Sequence, residues 1–534
     1  MRGVVVCPQP LAAEIGAAVL EAGGNAFDAA VATAFAQTVT DPHMCGLGGF
    51  GVATCVASGG HARHFSFHAR IGSRATPDMW AADCKGRMDL GGYSLFDDHR
   101  SNLGHRSVGT PGTVAGLAAV HRHGGRLPWA EVLAPAARLA RDGFSAPGYI
   151  FDMLARTSGP GLPSPLERMA FTKDSAALWC RSDGSFKQPG DHWSSPEMAT
   201  TIERLARAGA ADFYQGELGA AVAAELERGG GYVTREDLQS YRVRELEPLA
   251  GTFRGLRVLS STPPGGGVTL LQMLNLLERF SPATPYAPET YVLLARCMRE
   301  AFVARARAVA DPEFVPVPLD ELLGAPWADA AAGRLRAGAV PAAASAPGGS
   351  GTTHLSVGDA EGNAVALTHT LGMYSGVMVP GTGIPLNSTM DNVDAQPGRP
   401  NSIAPGKARL ASMAPTVVLD GDRPRLINGS PGTNAIVTSV FQVLAGVVDL
   451  GMSPHEAVAA PRVHCEGGPA FVENRISRAA RAALEVAGFE VRPFPGNYVA
   501  STGRNQLIAI DGDGRLTGAS DPRRDGGVAA YSRR

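Results

Sequence analysis

The sequence predicts an α+β protein in which sheets are packed with helices, and two observations carry that reading. In the first half, apolar residues recur at helical spacing, as in 10–22 (PLAAEIGAAVLEA), 129–142 (WAEVLAPAARLARD) and 216–228 (GELGAAVAAELER). After residue 351 the pattern switches to period two, in TTHLSVGD (352–359) and AVALTHTL (364–371). Hydrophobic residues make up 44% and charged residues 18% of the 534, which excludes a largely disordered chain and allows a sizeable core. The formal charge of −2, without a long run of like charge, gives no footprint for nucleic acid or a membrane surface, so the expected partner is a small molecule.

The elements follow in order. The helix over 10–22 stops at Gly23–Gly24, and Asn25 with Asp28 forms a capping box that opens a second helix over 26–39. GLGGFGVATCVA (46–57) reads as a glycine-loosened buried strand; a dinucleotide site there fails because no G-x-G-x-x-G register follows a strand and opens a helix. Residues 110–240 are helix-rich. HRHGG (121–125) reads as a helix end with solvated charges lacking carboxylate partners nearby in sequence. Residues 332–351 (AGRLRAGAVPAAASAPGGSG) carry few large apolar side chains and read as a flexible linker. Beyond the strand pair, PTVVLDGDRPRLING (415–429) is strand, turn and strand, and 434–449 has helical spacing. Tyr531 and the terminal residues are expected at the surface.

The seven cysteines are scattered without C-x-x-C spacing, which fits a reduced compartment. Residues 1–6 run directly into a Pro-containing turn, and nowhere is there an 18-residue apolar stretch, so the expectation is a soluble, cytoplasmic chain with no membrane partner. In the segment 41–45, His43 and Cys45 stand two apart, but one such pair without a second reads as structural, and no metal or other cofactor is expected.

The junction of a Pro/Gly/Ser-rich linker with a strand beginning Thr352–Thr353–His354 is where chemistry enters. Cleavage there would create an amino-terminal threonine, whose hydroxyl is a nucleophile and whose α-amine, with a pKa of roughly 7.7–8.0, is a general base on the same residue. Taken alone, Thr352 and Thr353 are more readily read as ordinary β-branched strand residues.

Further segments decide between these readings. PLAAEIGAAVLEAGGNAFDAAVATA (10–34), DPHMCGLGG (41–49), GTPGTVAGL (109–117), TTHLSVGDAEGNAVALTHTL (352–371), ASMAPTVV (411–418), NGSPGTN (428–434) and GASDPRRDG (518–526) resemble, in order, the signatures of the γ-glutamyltranspeptidase family. The resemblance covers nearly the whole chain. It implies an N-terminal-nucleophile hydrolase with a four-layer αββα sandwich, formed jointly by two chains cut from one precursor. The implied pieces are a helix-rich large subunit, 1–351, ending in the linker, and a small subunit, 352–534, held together non-covalently.

Carried over by position, Thr352 resembles the nucleophile, freed by cleavage between Gly351 and Thr352. Thr370 resembles the second threonine that supports it, on the paired strand. GSPGT (429–433) sits in a turn between a strand and an apolar helix; by position the oxyanion donors are the backbone amides of Gly432 and Thr433, the family commonly having glycine at the latter. Ser412 resembles the second of two serines near the substrate carboxylate, the first being Ala411 here. The Arg that holds a glutamyl α-carboxylate is replaced by His68, with Arg70 two residues on as a substitute. In NSTMDN (387–392), Thr389 and Asn392 stand where the family has Gln and the Asp that meets the α-ammonium, and Gly372 replaces an Asn.

Losing a charged partner in a desolvated site costs on the order of 2–5 kcal/mol, so these changes disfavour a zwitterionic glutamyl group such as that of glutathione. Residues 393–411 are also shorter than in relatives with a lid, which implies an open cleft. The expected function is a self-processing, γ-glutamyltranspeptidase-like amide hydrolase or acyltransferase working through an acyl-enzyme. The alternative within the family is an amidohydrolase of a non-glutamyl acyl amide, similar to oxamate amidohydrolases or glutaryl acylases. A catalytically inactive binding protein is the alternative from another class.

Overall fold

The computed structural model describes residues 2–88, 92–156, 161–282, 284–339 and 351–532. Its centre is two antiparallel sheets laid face to face. The first has seven strands in the order Gly527–Tyr531, Gly3–Cys7, Thr353–Asp359, Ala364–Thr370, Phe50–Val56, Ala62–Phe67 and Arg244–Leu246. The second has six, in the order Leu516–Ser520, Gln506–Ile510, Arg423–Gly429, Thr416–Asp420, Leu256–Ser260 and Leu249–Phe253.

Strand alternation explains the layering. Val4 and Val6, with Ala364 and Ala366, meet Leu259, Val417, Ile427 and Ile508 between the two sheets. Their neighbours Val5, Cys7, Val365 and Leu367 point the other way, into a core shared with the helices Pro10–Glu21, Ala26–Thr40 and Trp129–Asp142. On the far side, helices Gly267–Leu277, Pro288–Ala308 and Ala435–Val448 cover Val258, Val418, Leu426 and Leu507. The result is the αββα sandwich. Because helices cover both outer faces, the central strands are apolar on both sides, and the period-two signal survives as an alternation of small against large residues.

The halves on either side of residue 351 are interleaved. Thr353–Asp359 lies between Gly3–Cys7 and Ala364–Thr370, and the last strand, Gly527–Tyr531, pairs with the first. The chain ends of the two halves are thus stitched by shared ladders rather than by a surface contact.

Local expectations are met where the signal is local. Asn25 accepts from the Phe27 and Asp28 amides while Asp28 returns the bond to the Asn25 amide, and the helix runs Ala26–Thr40. The helix expected over 129–142 is Trp129–Asp142.

Three expectations need correction. Residues 332–336 are not linker: they finish the helix Ala325–Arg336, in which Ala328, Ala331, Ala332 and Leu335 form a buried face at helical spacing. The linker remainder, 340–350, lies outside the described residues. His121 does have a carboxylate near it, Asp28 at 3.6 Å, and Arg122 pairs with Glu245, partners supplied by folding. Tyr531 is half-buried, closing the edge of the first sheet opposite Gly3. Among the described residues, no helix is long and apolar enough to cross a membrane.

Candidate active site

Thr352 is buried at the head of the strand Thr353–Asp359, in the middle of the first sheet. Register places His369 opposite Thr353, which brings Thr370 beside Thr352. The Thr352 hydroxyl donates to Thr370 Oγ1 at 3.4 Å, and the Gly372 amide donates to the same oxygen at 2.8 Å. Thr370 in turn donates to the carbonyl oxygen of Gly351. One hydroxyl therefore touches both the Thr352 side chain and the carbonyl that precedes it. Gly351 has φ +35°, and a Cβ there would fall 2.0 Å from the Gly372 carbonyl oxygen, so only glycine fits before Thr352.

The loop 429–434 reaches the same end of the sandwich because Arg423–Gly429 packs on the strand Thr353–Asp359: a Cβ on Gly429 would collide with His354 at 2.2 Å. His354 bonds Thr368 at 2.8 Å and Ser356 at 3.1 Å, and burial pushes its pKa down to about 3, so it is a neutral brace between the sheets. Ser430 accepts from the Arg504 amide at 2.7 Å and pins the loop from behind. Gly432 has φ +140° and Thr433 φ +57°, an unusual value for a β-branched residue. Among the described residues, neither amide donates a hydrogen bond inside the protein. Two adjacent backbone donors without an internal acceptor, just before the helix Ala435–Val448, are suited to a developing oxyanion.

The side of the site that would face an acyl group is built from residues far apart in sequence. Gly372, with φ +70°, packs against Ser388 and Asp391. Asp391 accepts from Ser388 Oγ at 3.1 Å and from Asn392 Nδ2 at 3.1 Å, and it is paired with Arg409. Thr389 is buried with its hydroxyl unpartnered and its methyl against Gly109. His68 is 2% exposed and neither ring nitrogen has a hydrogen-bond partner. Burial, aided by the positive charges of Arg70 and Arg244, holds its pKa well below the ordinary histidine value, so the ring is neutral.

Arg70 is committed elsewhere, to Asp311 at 3.0 Å and Glu313 at 3.1 Å. Ser412 belongs to another chain of contacts: it accepts from Arg305 at 3.0 Å and donates to Asn434 at 2.6 Å, which donates to Glu466 at 2.7 Å. Ser412 is thereby tied to the first residue past the Gly432–Thr433 pair. Asp41, beside His43 and Cys45, is paired with Arg524 and accepts from Gln9, and Gln9 reaches Thr353 at 3.0 Å, so this group supports the strand Thr353–Asp359.

The sequence model of the family described as Gamma-glutamyltranspeptidase matches residues 12–531. The chain belongs to that family. It is 36% identical to the acylase ACY 1 proenzyme of Pseudomonas sp. (strain SE83), over 99% of this chain and 94% of that one. It is 33% identical to the glutathione hydrolase proenzyme of Escherichia coli (strain K12), over 98% of this chain and 90% of that one. The crystal structure of cephalosporin acylase from Bacillus halodurans superposes with a TM-score of 0.87 at 29% identity, covering 100% of this chain and 96% of the other. This γ-glutamyltranspeptidase-family chain is thus an enzyme, an amidohydrolase or acyltransferase of the N-terminal-nucleophile type.

Sequence reading missed Arg409 and Asp391. Arg409 is an arginine inside an otherwise apolar-and-small run, ARLASMAP, and a lone charge in such a run is the signal that it is buried and paired.

Proposed function

We propose that this enzyme is made as a precursor cut between Gly351 and Thr352, and that the mature form hydrolyses the amide of an acyl group that lacks a free α-ammonium. Thr352 Oγ1 attacks the amide carbonyl, its own α-amine accepts the hydroxyl proton, and the Gly432 and Thr433 amides hold the oxyanion. The amine then protonates the leaving nitrogen, leaving an ester on Thr352. Water deprotonated by the same amine attacks that ester, and the proton returns to the threonine hydroxyl as the acid departs. The hydroxyl contact between Thr352 and Thr370, and that between Thr370 and the Gly351 carbonyl, support both the cut and the catalysis.

The observation that carries the substrate reading is the state of Asp391. It is the one carboxylate in NSTMDN, and Arg409, Ser388 and Asn392 already engage it. A substrate ammonium would have to compete with a guanidinium, and the neighbouring Asn392 offers no charge. The identity to an acylase and the fold shared with a cephalosporin acylase support the same choice.

The test is a panel of p-nitroanilides on purified protein whose small chain begins at Thr352 by mass spectrometry. Acyl anilides without an amino group should release nitroaniline faster than the γ-glutamyl compound. Efficient γ-glutamyl release, with glycylglycine as acceptor, would refute the reading.

A further inference from the structure

We propose that Arg409 anchors the far end of the acyl group, so that the preferred substrate is the monoamide of a short dicarboxylic acid. This rests on Thr352 as nucleophile and on the non-amino acyl reading above, and it adds the chemistry of the group's other end.

Phe50 sits directly opposite Thr370 in the first sheet, and directly opposed residues of antiparallel strands project from the same face. The Arg409 guanidinium carbon lies 5.1 Å from the centre of the Phe50 ring, and the His68 ring lies 6.4 Å from it. Phe50 therefore joins the nucleophile's supporting threonine to a buried arginine and a buried imidazole. Asp391, which pairs with Arg409, approaches the nucleophile from the other side: its Oδ2 would stand 3.2 Å from a Cβ on Gly372, whose amide bonds Thr370.

Arg409 is 4% exposed, and Asp391 takes only its Nη1. Its Nε is buried without a hydrogen-bond partner, as are both nitrogens of His68. Buried donors are normally satisfied, and a guanidinium held by one nitrogen still presents the parallel Nε and Nη2 donors that match a carboxylate. Unpartnered Nε groups recur at other buried arginines such as Arg462 and Arg524; Arg409 is set apart by its place beside Phe50 and Asp391, next to Thr370. The fixed partner also explains why the anchor suits an anion without an ammonium beside it: Asp391 is already engaged by Arg409, Ser388 and Asn392, while neutral His68 adds a donor or acceptor but no charge to attract a cation.

Gly351 occupies ground next to the nucleophile in the uncut chain, its carbonyl held by Thr370. Cutting after Gly351 frees that carbonyl's position for the substrate amide, which places the acyl chain between Thr352 and Arg409.

The experiment compares malonyl-, succinyl- and glutaryl-p-nitroanilide with the monocarboxylic anilides of matching length, on processed wild type, Arg409→Gln and Arg409→Lys. Wild type should favour one of the diacid anilides by about 100-fold in kcat/KM over its monocarboxylic counterpart, and Arg409→Gln should bring that ratio close to one, whatever the change in overall rate. Arg409→Lys, which keeps the charge but loses the fork, should fall between them. A diacid preference that survives in Arg409→Gln overturns the anchor alone; γ-glutamyl anilide as best donor overturns the underlying reading instead. Should Arg409→Gln fail to mature, inhibition of wild type decides: free glutarate inhibiting far better than butyrate supports the anchor, and equal inhibition overturns it.

Discussion

The hydroxyls of Thr352 and Thr370 lie 3.4 Å apart, and Thr370 spends its own proton on the Gly351 carbonyl. The geometry polarises the one peptide carbonyl that Thr352 would attack to release its own amine. Thr370→Val keeps the β-branched shape and removes the donor. It should slow appearance of the two subunits by about 100-fold, the range of a lost acid–base partner, whereas Thr352→Ala should leave the chain uncut indefinitely. Denaturing gels over a time course measure both; rapid cutting of Thr370→Val would dissociate that hydroxyl from processing.

Mature activity should follow the protonation of the Thr352 α-amine. Only the neutral amine accepts a proton, so kcat/KM should be lost as pH falls through roughly 7–8 and reach a plateau above it. The nearby histidines add no wave of their own near pH 6.5, because burial keeps His68 and His354 neutral far below that. A pH–rate profile with an acid limb near 6.5 that disappears in His68→Gln would contradict this.

Stability has its own pH dependence, with a definite sign. Burial lowers His43 to about 4 and His64, His354 and His369 to about 3, from an ordinary 6.5. The unfolded chain therefore binds protons that the folded chain refuses once pH drops below about 6.5, and the stabilisation present above that value is progressively lost down to the folded values. Thermal midpoints should be flat from pH 7 to 8 and fall steadily from pH 6.5 to 4. His354→Gln, if it folds, should flatten part of that slope.

How far the sequence spoke depends on how far apart the interacting residues are. Asn25 and Asp28 are three apart, and their box and helix were readable. Thr352, Thr370 and Gly432 stand out in the sequence only through the family resemblance of the segments around them, and folding sets Thr370 beside Thr352. The partners of the charged residues were not: Arg70 finds Asp311 across 241 positions, and no local pattern announces that. Arg409 pairs with Asp391 only 18 positions away, yet a loop separates them and periodicity says nothing about loops. Residues 332–336 were misread because alanine-rich text is poor in large apolar groups but good at forming helix, and the burial of Leu335 settles it.

The loop behind Gly432 and Thr433 rests on a buried ionic cluster. Arg523 bonds Glu473 and Asp521, Arg462 bonds Asp521, and Glu473 accepts from the Val499 amide and Thr502. Residues 499–504 then pack on Gly432 through Gly503. Arg523→Met would remove one guanidinium from each of two buried carboxylates, Asp521 keeping Arg462 and Glu473 keeping Arg475, and should cost about 1–3 kcal/mol, read as a lowered denaturant midpoint. A loss below about 1 kcal/mol would mean that the cluster is not a determinant of the fold.

Thr433 separates the cost of a donor from the cost of a side chain. Its φ of +57° is a conformation that a β-branched residue adopts only under constraint, at roughly 1–3 kcal/mol. Thr433→Gly keeps the amide and removes the strain, so it should raise stability by about 1 kcal/mol once the greater freedom of an unfolded glycine is subtracted. Because the proposed oxyanion donor is backbone, kcat should change no more than a few-fold. A large fall in kcat with intact stability would mean instead that the threonine side chain itself holds the loop in register, since the amide alone would then not keep its aim.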